Sequence, residues 1–573
     1  MHRRYRLGAS RCVVALAVLA LLTACTRVGT EGAAHGQTLR LTAGSDFPTL
    51  NPLVTDNASL AYYAPLIYGY LIRTDADGHF IPDLATQVPT RANGGISADG
   101  LTIRYHLRRG VRWPDGAPFD ARDVVFSFHA AMNPRNDVPD RSGFDDVVAV
   151  RAVGPYAVRV RLRTPYSPGI ATFFNLGAND PYPILPAHLL AKYPDLNQVP
   201  YDGDPVGLGP YRVAAWKRGQ ELDLVADPHY FRGAPAIRRI RIQIVPDQNT
   251  SLTLWSAGST DLLAVEGFGA TKGVLQQVES RPHTITRLRD HYQFDYVMFN
   301  VSRGPLREAA VRRALVLGID RERIMRDLLG RLYAPGDGDR LPGQFAYDAA
   351  ITQPRYDLAK ARAALAAAGW RLGPDGIRYR AGKPLTLSIV GVAGSKASEQ
   401  FDVQLQGALT RLGIRAAVKT YQYSLLFLPY QEGGVYARGE FDLAFYGWQP
   451  GEDQDHSYLF RCDTRPPDGE NYSRICDPVI DRAAREELAS SDPAVQARAD
   501  QRILRRLIAR SDLLFLGFDR DALAVRDDLA GVEPSVTGEH LWNAWAWHWT
   551  TPGAALSGPR DRSRRPSPAT TRD

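Results

Sequence analysis

The segment ADGLTIRYHLRRGVRWPDGAPFDARDVVFSF, residues 98–128, limits the fold of this chain more than any other stretch, because almost every residue in it carries a local geometric signal. Asp99-Gly100 is a turn pair, after which Leu101, Ile103, Tyr105 and Leu107 alternate with polar residues as in a half-buried strand. A second turn falls at Asp115-Gly116. Asp120 is placed to cap a helix, with Asp123 three residues on, and Val124, Val125, Phe128 and Met132 then share one helical face. Strand, turn and helix in such close succession place the chain in the α/β class.

The ends of the chain differ in character from its body. Arg3, Arg4, Arg6 and Arg11 precede an apolar run, residues 13–22, which leads into Leu22-Thr23-Ala24-Cys25. This order predicts a secretory signal, residues 1–24, with a lipobox-like cleavage site. The apolar run is shorter than the roughly 20 residues a permanent spanning helix needs. Cys25 is therefore expected to carry a lipid anchor on a short linker, residues 25–36. The formal charge of +7 also comes from the ends. Residues 1–24 hold four arginines and no acid, and the polar tail 557–573 holds five arginines and two aspartates, so the body between them is formally neutral. That leaves no electrostatic case for a nucleic-acid partner, and the tail reads as disordered.

About 520 residues remain for folded structure, more than the ~250–300 that one core usually supports, so at least two lobes are expected. After the segment HYQFDYVMFNVS, an aromatic-rich strand, REAAVRRALVLGIDRERIMRDLLG reads as two helices, the second capped by Asp320 and ended by Gly330. Another capped helix runs from Asp357 towards Gly369. A strand in PLTLSIVG, a helix around Phe401 and the strand RAAVKTYQY continue a βαβ-like rhythm. Trp545, Trp547 and Trp549 alternate, which predicts a final strand with these rings in the core.

Three motifs carry a family resemblance. DGLTIRYHLRRGVRWPDGAPFDARDVVFS, the pentad Pro48-Thr49-Leu50-Asn51-Pro52, and PVGLGPYRVAAWKRGQELDLVADPHYFRG, with Leu208 where threonine is usual, together resemble the dipeptide- and oligopeptide-binding proteins of ABC importers, the family 5 extracytoplasmic solute-binding proteins. The resemblance covers nearly all of residues 37–550. It implies an α/β, periplasmic-binding-protein type II-like two-lobe fold with a hinge and an additional inserted domain. Lobe I would comprise residues 37–80, 205–285 and 525–556, the inserted domain II residues 81–204, and lobe III residues 286–524, with chain crossings near 285 and 524 forming the hinge.

The same resemblance implies the ligand site. In GEFDLAFYGWQPGEDQDHSYLFRCD a strand ends at Gly447-Trp448, and peptide-binding members carry an ammonium-holding acid three residues beyond that tryptophan. Here that position is Gly451. A one-residue insertion would bring Glu452 to the role, with Asp453 second, and His456 stands where a proline is usual. A carboxylate suits an ammonium because a charge-assisted hydrogen bond is roughly twice as strong as a neutral one. Backbone at Gly447 and Gln449, and at Asp56, Asn57 and Ala58 of the other lobe, would pair with an extended peptide. Trp448, Tyr446 and Tyr423 would line the cleft. Cys462 and Cys476 are implied to form a disulfide, the alternative being two buried thiols.

The expected function is capture of short peptides for an ABC permease and its ATPase subunits, by a monomer tethered to a membrane in the cell envelope, without catalysis, cofactor or bound metal. Rival readings keep the fold and change the ligand to a nickel chelate, haem, an opine or an oligosaccharide, or assign a sensory or scaffold lipoprotein. A periplasmic hydrolase is disfavoured, since the chain has no His-Glu-x-x-His, no Gly-x-Ser-x-Gly and no lysine-bearing phosphate loop.

Overall fold

The computed structural model describes residues 38–550 apart from 142, 167, 177–180, 266–269, 449–456 and 491. The signal segment, Cys25 and the tail lie outside these residues. The first sheet joins distant parts of the chain. Thr38–Ala43 runs parallel to Arg239–Ile244, followed in order by Glu221–Ala226 and Tyr211–Lys217. A separate antiparallel sheet of Thr102–His106, Ala157–Leu162 and Val147–Ala152 is built within residues 102–162. Both sheets share one apolar core, in which Leu39, Leu41, Tyr105, Trp113, Phe128 and Trp547 are buried. The helix Ala121–Met132 begins with the capping box of Asp120 and Asp123, which satisfies backbone N–H groups that the first turn leaves unpaired.

A larger mixed sheet forms the second lobe, in the order Leu262–Val265, Leu513–Arg526, Thr284–Phe299, Leu443–Trp448, Thr386–Val392 and Arg415–Tyr421. Side chains alternate between its faces. Val297, Phe299, Leu387, Ile389, Leu443 and Leu514 enter one core with the helices Ala309–Gly318, Arg321–Leu329 and Lys396–Arg411. Tyr296, Met298, Val390, Ala444, Tyr446 and Phe515 enter another, against the helices Pro478–Ala489 and Pro493–Arg510. Burial on both faces explains why these strands read as nearly continuous apolar runs.

Two long strands, Thr284–Phe299 and Leu513–Arg526, belong to both lobes. Leu523 and Val525 lie in the first core and Leu514 and Leu516 in the second. Their antiparallel ladder runs from Thr284↔Arg526 to Asp290↔Arg520 and resumes at Phe294↔Phe518. Between these pairs three residues, His291 to Gln293, stand against Asp519 alone, a bulge that bends the strands. Gly517 next to it has φ 132°, and a Cβ there would come within 2.6 Å of the Ala334 carbonyl oxygen.

The tryptophan pattern near the C-terminus is not a strand. Trp545 sits in the one-turn helix Ala544–Ala546, and the strand is only His548–Trp549. The rings are positioned by packing: Trp547 is fully buried, whereas Trp545 covers the Arg73 guanidinium at 5.3 Å. Arg73 is itself wholly buried, 2.8 Å from Asp83, and donates to the Trp542 carbonyl at 3.1 Å. It thus ties the start of the folded chain to its end. Asp83 also accepts from Arg232 at 2.9 Å, so Arg73→Ala leaves that carboxylate one cation and the Trp542 carbonyl without its donor, and is expected to cost about 1–3 kcal/mol in chemical denaturation.

Candidate ligand-binding cleft

The strand Leu443–Trp448 pairs along its whole length with Thr284–Phe299, from Leu443↔Phe299 to Trp448↔Phe294. On its other side it pairs with Thr386–Val392 only at Ile389↔Leu443 and Val390↔Ala444. Among the described residues, the edge from Phe445 to Trp448 therefore has no neighbouring strand, and its backbone groups are open to an added one. Gly447 lies opposite Asp295, and a Cβ at Gly447 would fall 2.7 Å from Asp295 Oδ1 and 2.6 Å from Gln293 Nε2. Glycine at this position lets the two polar side chains sit directly behind the strand tip.

An aromatic cluster covers the opposite face. Tyr446 is buried and donates from its hydroxyl to Glu470 at 3.3 Å. Burial, with the neighbouring Glu470, pushes this hydroxyl well above its usual range. Trp448 is half-buried and stacks on Tyr446, with ring centres 6.4 Å apart, while Tyr458 tilts against its other side at 6.3 Å. Tyr446 thus belongs to the core, and Trp448 is the ring that reaches the surface. Tyr423 is exposed at the margin of this cluster, against Phe427. Gln449, Glu452 and Asp453 lie outside the described residues. Cys462 and Cys476 are joined, with Cα atoms 4.5 Å apart, on the chain that follows.

In the first lobe a cavity of ≈ 520 Å³ opens at the ends of two parallel strands, lined by Ala43, Gly44 and Val245, by Ala58 and Tyr62 of the helix Ala58–Ile67, and by Leu263. Ala58 reaches this cavity, and residues 56–58 form the entry to the helix Ala58–Ile67. Asn57 caps the helix: its side chain accepts from the Leu60 N–H, its own N–H goes to Thr55 Oγ1 at 3.2 Å, and its carbonyl accepts from Ala61. The Asn57 backbone groups are thus used within the cap, and Asp56 lies exposed before it.

The bulge joins the two sides. From the first-lobe cavity, Tyr62 meets the His540 ring edge-on at 6.3 Å. His540 Nε2 is 3.2 Å from Asp521, which His291 Nδ1 also approaches at 3.3 Å. Burial acts to raise the Asp521 pKa, but the two imidazoles outweigh it and hold the carboxyl well below its usual range. Two residues away, Asp519 and Asp295 contact each other, and the Gln293 amide reaches both, at 3.4 and 3.3 Å. Burial and the neighbouring Asp519 raise Asp295, and burial raises Asp519, so both hold a proton more tightly than an ordinary carboxyl.

These acids were not singled out in the sequence, although a signal was present. Asp295 occupies the same face of its strand as the buried Val297 and Phe299, where an unpaired acid is out of place.

Two lobes sharing a pair of bulged crossing strands, with a cavity and an open strand edge beside the crossing, define a solute-binding fold. The family model for bacterial extracellular solute-binding proteins, family 5 Middle, matches residues 79–469, and the chain belongs to that family. It is 28% identical over 493 residues to Protein XP55 of Streptomyces lividans, covering 85% of this chain and 84% of that protein. It is 26% identical over 496 residues to the oligopeptide-binding protein AppA of Bacillus subtilis, covering 84% and 87%. The structure of AppA in complex with a nonapeptide superposes with a TM-score of 0.71 at 22% identity, over 90% of this chain and 99% of that one. NikA from Brucella suis in complex with Fe(III)-EDTA gives 0.78 at 21% identity, over 90% and 100%.

Asp402, on the helix Lys396–Arg411, is buried and raised to about 7, first by burial, against a Ser398 hydroxyl contact that lowers it. The folded protein therefore binds a proton that the unfolded chain releases above about pH 4, and this contribution is lost as pH rises towards 7. Asp402→Asn is expected to be stabilising at pH 8, by up to on the order of 4 kcal/mol, and nearly neutral at pH 4. Thermal melts across that range measure it.

Proposed function

We propose that this protein is the substrate-binding component of an ABC importer that captures short peptides between its lobes and delivers them to a membrane permease. The observation that carries this reading is the open backbone edge at Phe445–Trp448, flanked by the half-buried Trp448 ring. Main-chain pairing to that edge gives affinity without demanding one side-chain sequence. Similarity to an oligopeptide-binding protein over more than four-fifths of both chains supports it. Binding works through the hinge: contacts available only in the closed form raise its population. No catalytic step is part of this reading.

Glu452, with Asp453 as the alternative, is proposed to hold the peptide ammonium, and Gly447 and Gln449 its backbone. Cys25 is proposed as the lipid-bearing residue that tethers a monomer to a membrane in the cell envelope. Among the described residues no helix is long and apolar enough to cross a membrane. Anchoring is tested in cells: Cys25→Ser should move the protein from the membrane fraction to the soluble one.

Native mass spectrometry of the purified protein, alone and after exchange with a library of di- to pentapeptides, tests the ligand. Retained peptides, weakened at least tenfold by Glu452→Gln together with Asp453→Asn, are expected. A complex with a metal chelate, haem or a sugar, and none with peptides, would overturn the peptide assignment while keeping the fold.

A further inference from the structure

Behind the tip of Leu443–Trp448 lies a second, smaller cavity of ≈ 40 Å³. Its walls are apolar: Met325, Leu328 and Leu329 from one helix, Phe401 from another, and Phe445 from the tip strand itself. Its polar lining is Gln293, Asp295, Asp519 and Ser398. A space of this size holds two or three waters, or one group of similar bulk, since about 10–15 Å³ suffices per water.

The acids in this lining are treated differently from other buried acids of the protein. Asp83, Asp500 and Asp512 are equally buried, and each has an arginine within 2.9 Å, Arg73, Arg340 and Arg312 respectively. Asp521 has His291 and His540. Among the described residues no lysine or arginine forms an ion pair with Asp295 or Asp519. Asp295 is 1% exposed, and among the described residues its Oδ2 accepts no N–H hydrogen bond. The single amide of Gln293 reaches both carboxyls at the long end of hydrogen-bonding range. Buried acids without a cation are costly unless they keep a proton or gain one from outside. The place also adjoins the open strand tip, because Gly447 presents no side chain towards Gln293 Nε2 and Asp295 Oδ1.

We propose that the Asp295–Asp519 pocket is a subsite for a primary ammonium group of the ligand, giving the protein a preference for cationic ligands. The inference rests on ligand capture at the strand tip and extends it to ligand chemistry. An entering R–NH₃⁺ donates its N–H groups to Asp295 and Asp519 as carboxylates, and any proton the pair holds leaves to solvent. The apolar walls cover the methylenes of the cation's stem. The ammonium is that of a side chain such as lysine's, because the peptide N-terminus is assigned to Glu452 or Asp453; an N-terminal source would move that assignment to this pocket, and the two are separable by experiment.

Titration calorimetry of the purified protein at pH 6.5 would compare Gly-Lys-Gly, Gly-norleucine-Gly and the N-acetylated form of each, with cadaverine as a non-peptide amine. For a lysine source, Gly-Lys-Gly binds at least tenfold more tightly than its norleucine counterpart, acetylated or not. For an N-terminal source, acetylation removes the advantage instead. In either case Asp295→Asn and, independently, Asp519→Asn abolish the preference, and titrations in buffers of different ionisation heat register a proton released by wild type and not by the variants. Cadaverine binding that depends on Asp295, with no peptide bound, would sustain the subsite and remove the peptide reading. Equal affinity for all four peptides, a preference that survives both substitutions, or no binding of any amine would overturn the subsite. The wild-type comparison requires no variant to fold.

Discussion

The antiparallel pairing of Thr284–Phe299 with Leu513–Arg526 holds the rest of the structure in place. Each strand is long enough to enter two cores, so the same ladder that fixes the first lobe fixes the second. The ladder is interrupted at His291 to Gln293, where one strand carries three residues against one. A bend concentrated at such a point changes the angle between lobes while leaving both packed interiors intact, because close-packed cores resist deformation and bulged strands do not. The cavity at Tyr62, the open strand tip at Trp448 and the buried acids all lie beside this interruption.

Charge burial separates what is structural from what is available to a ligand. Arg73 with Asp83, Arg312 with Asp512 and Arg340 with Asp500 are compensated within the protein and brace distant segments against one another. Asp295 is equally enclosed and Asp519 is half-buried beside it; among the described residues neither pairs with an arginine or lysine, and both stand behind Gly447. Burial raises their affinity for a proton, and the same field attracts any cation small enough to enter. A group bound there touches residues of both crossing strands.

Much of the local structure was legible in the sequence. Asp120 with Asp123, Asp320 with Gly330, and Asp357 mark helix ends by direct side-chain or backbone chemistry, and the structure places helices at those points. The site was legible only in part. Gly447 and Trp448 stand at the end of a strand that alternation alone delimits, and Ala58 lines the opposing cavity. The helix start at residues 57–58 was not legible, because the Asn57 cap bonds groups three and four residues ahead. The alternating tryptophans were misread for a related reason: period-two spacing also fits a tight turn whose rings are drawn to separate partners, Trp545 to Arg73 and Trp547 to the interior.

By itself the sequence determined the α/β class, the order of the elements, the caps and turns that bound them, and the family motifs, because these depend on contacts among residues close in the chain. Only the tertiary structure decided which strand of one lobe lies beside which of the other, that Tyr446 faces inward while Trp448 reaches the surface, and that Asp295 and Asp519 meet in one cavity. Those two aspartates are more than two hundred residues apart, and although the strand pattern marks Asp295 as an acid on an apolar face, nothing local pairs it with Asp519. Their raised proton affinity arises only when the crossing strands bring them together in one cavity.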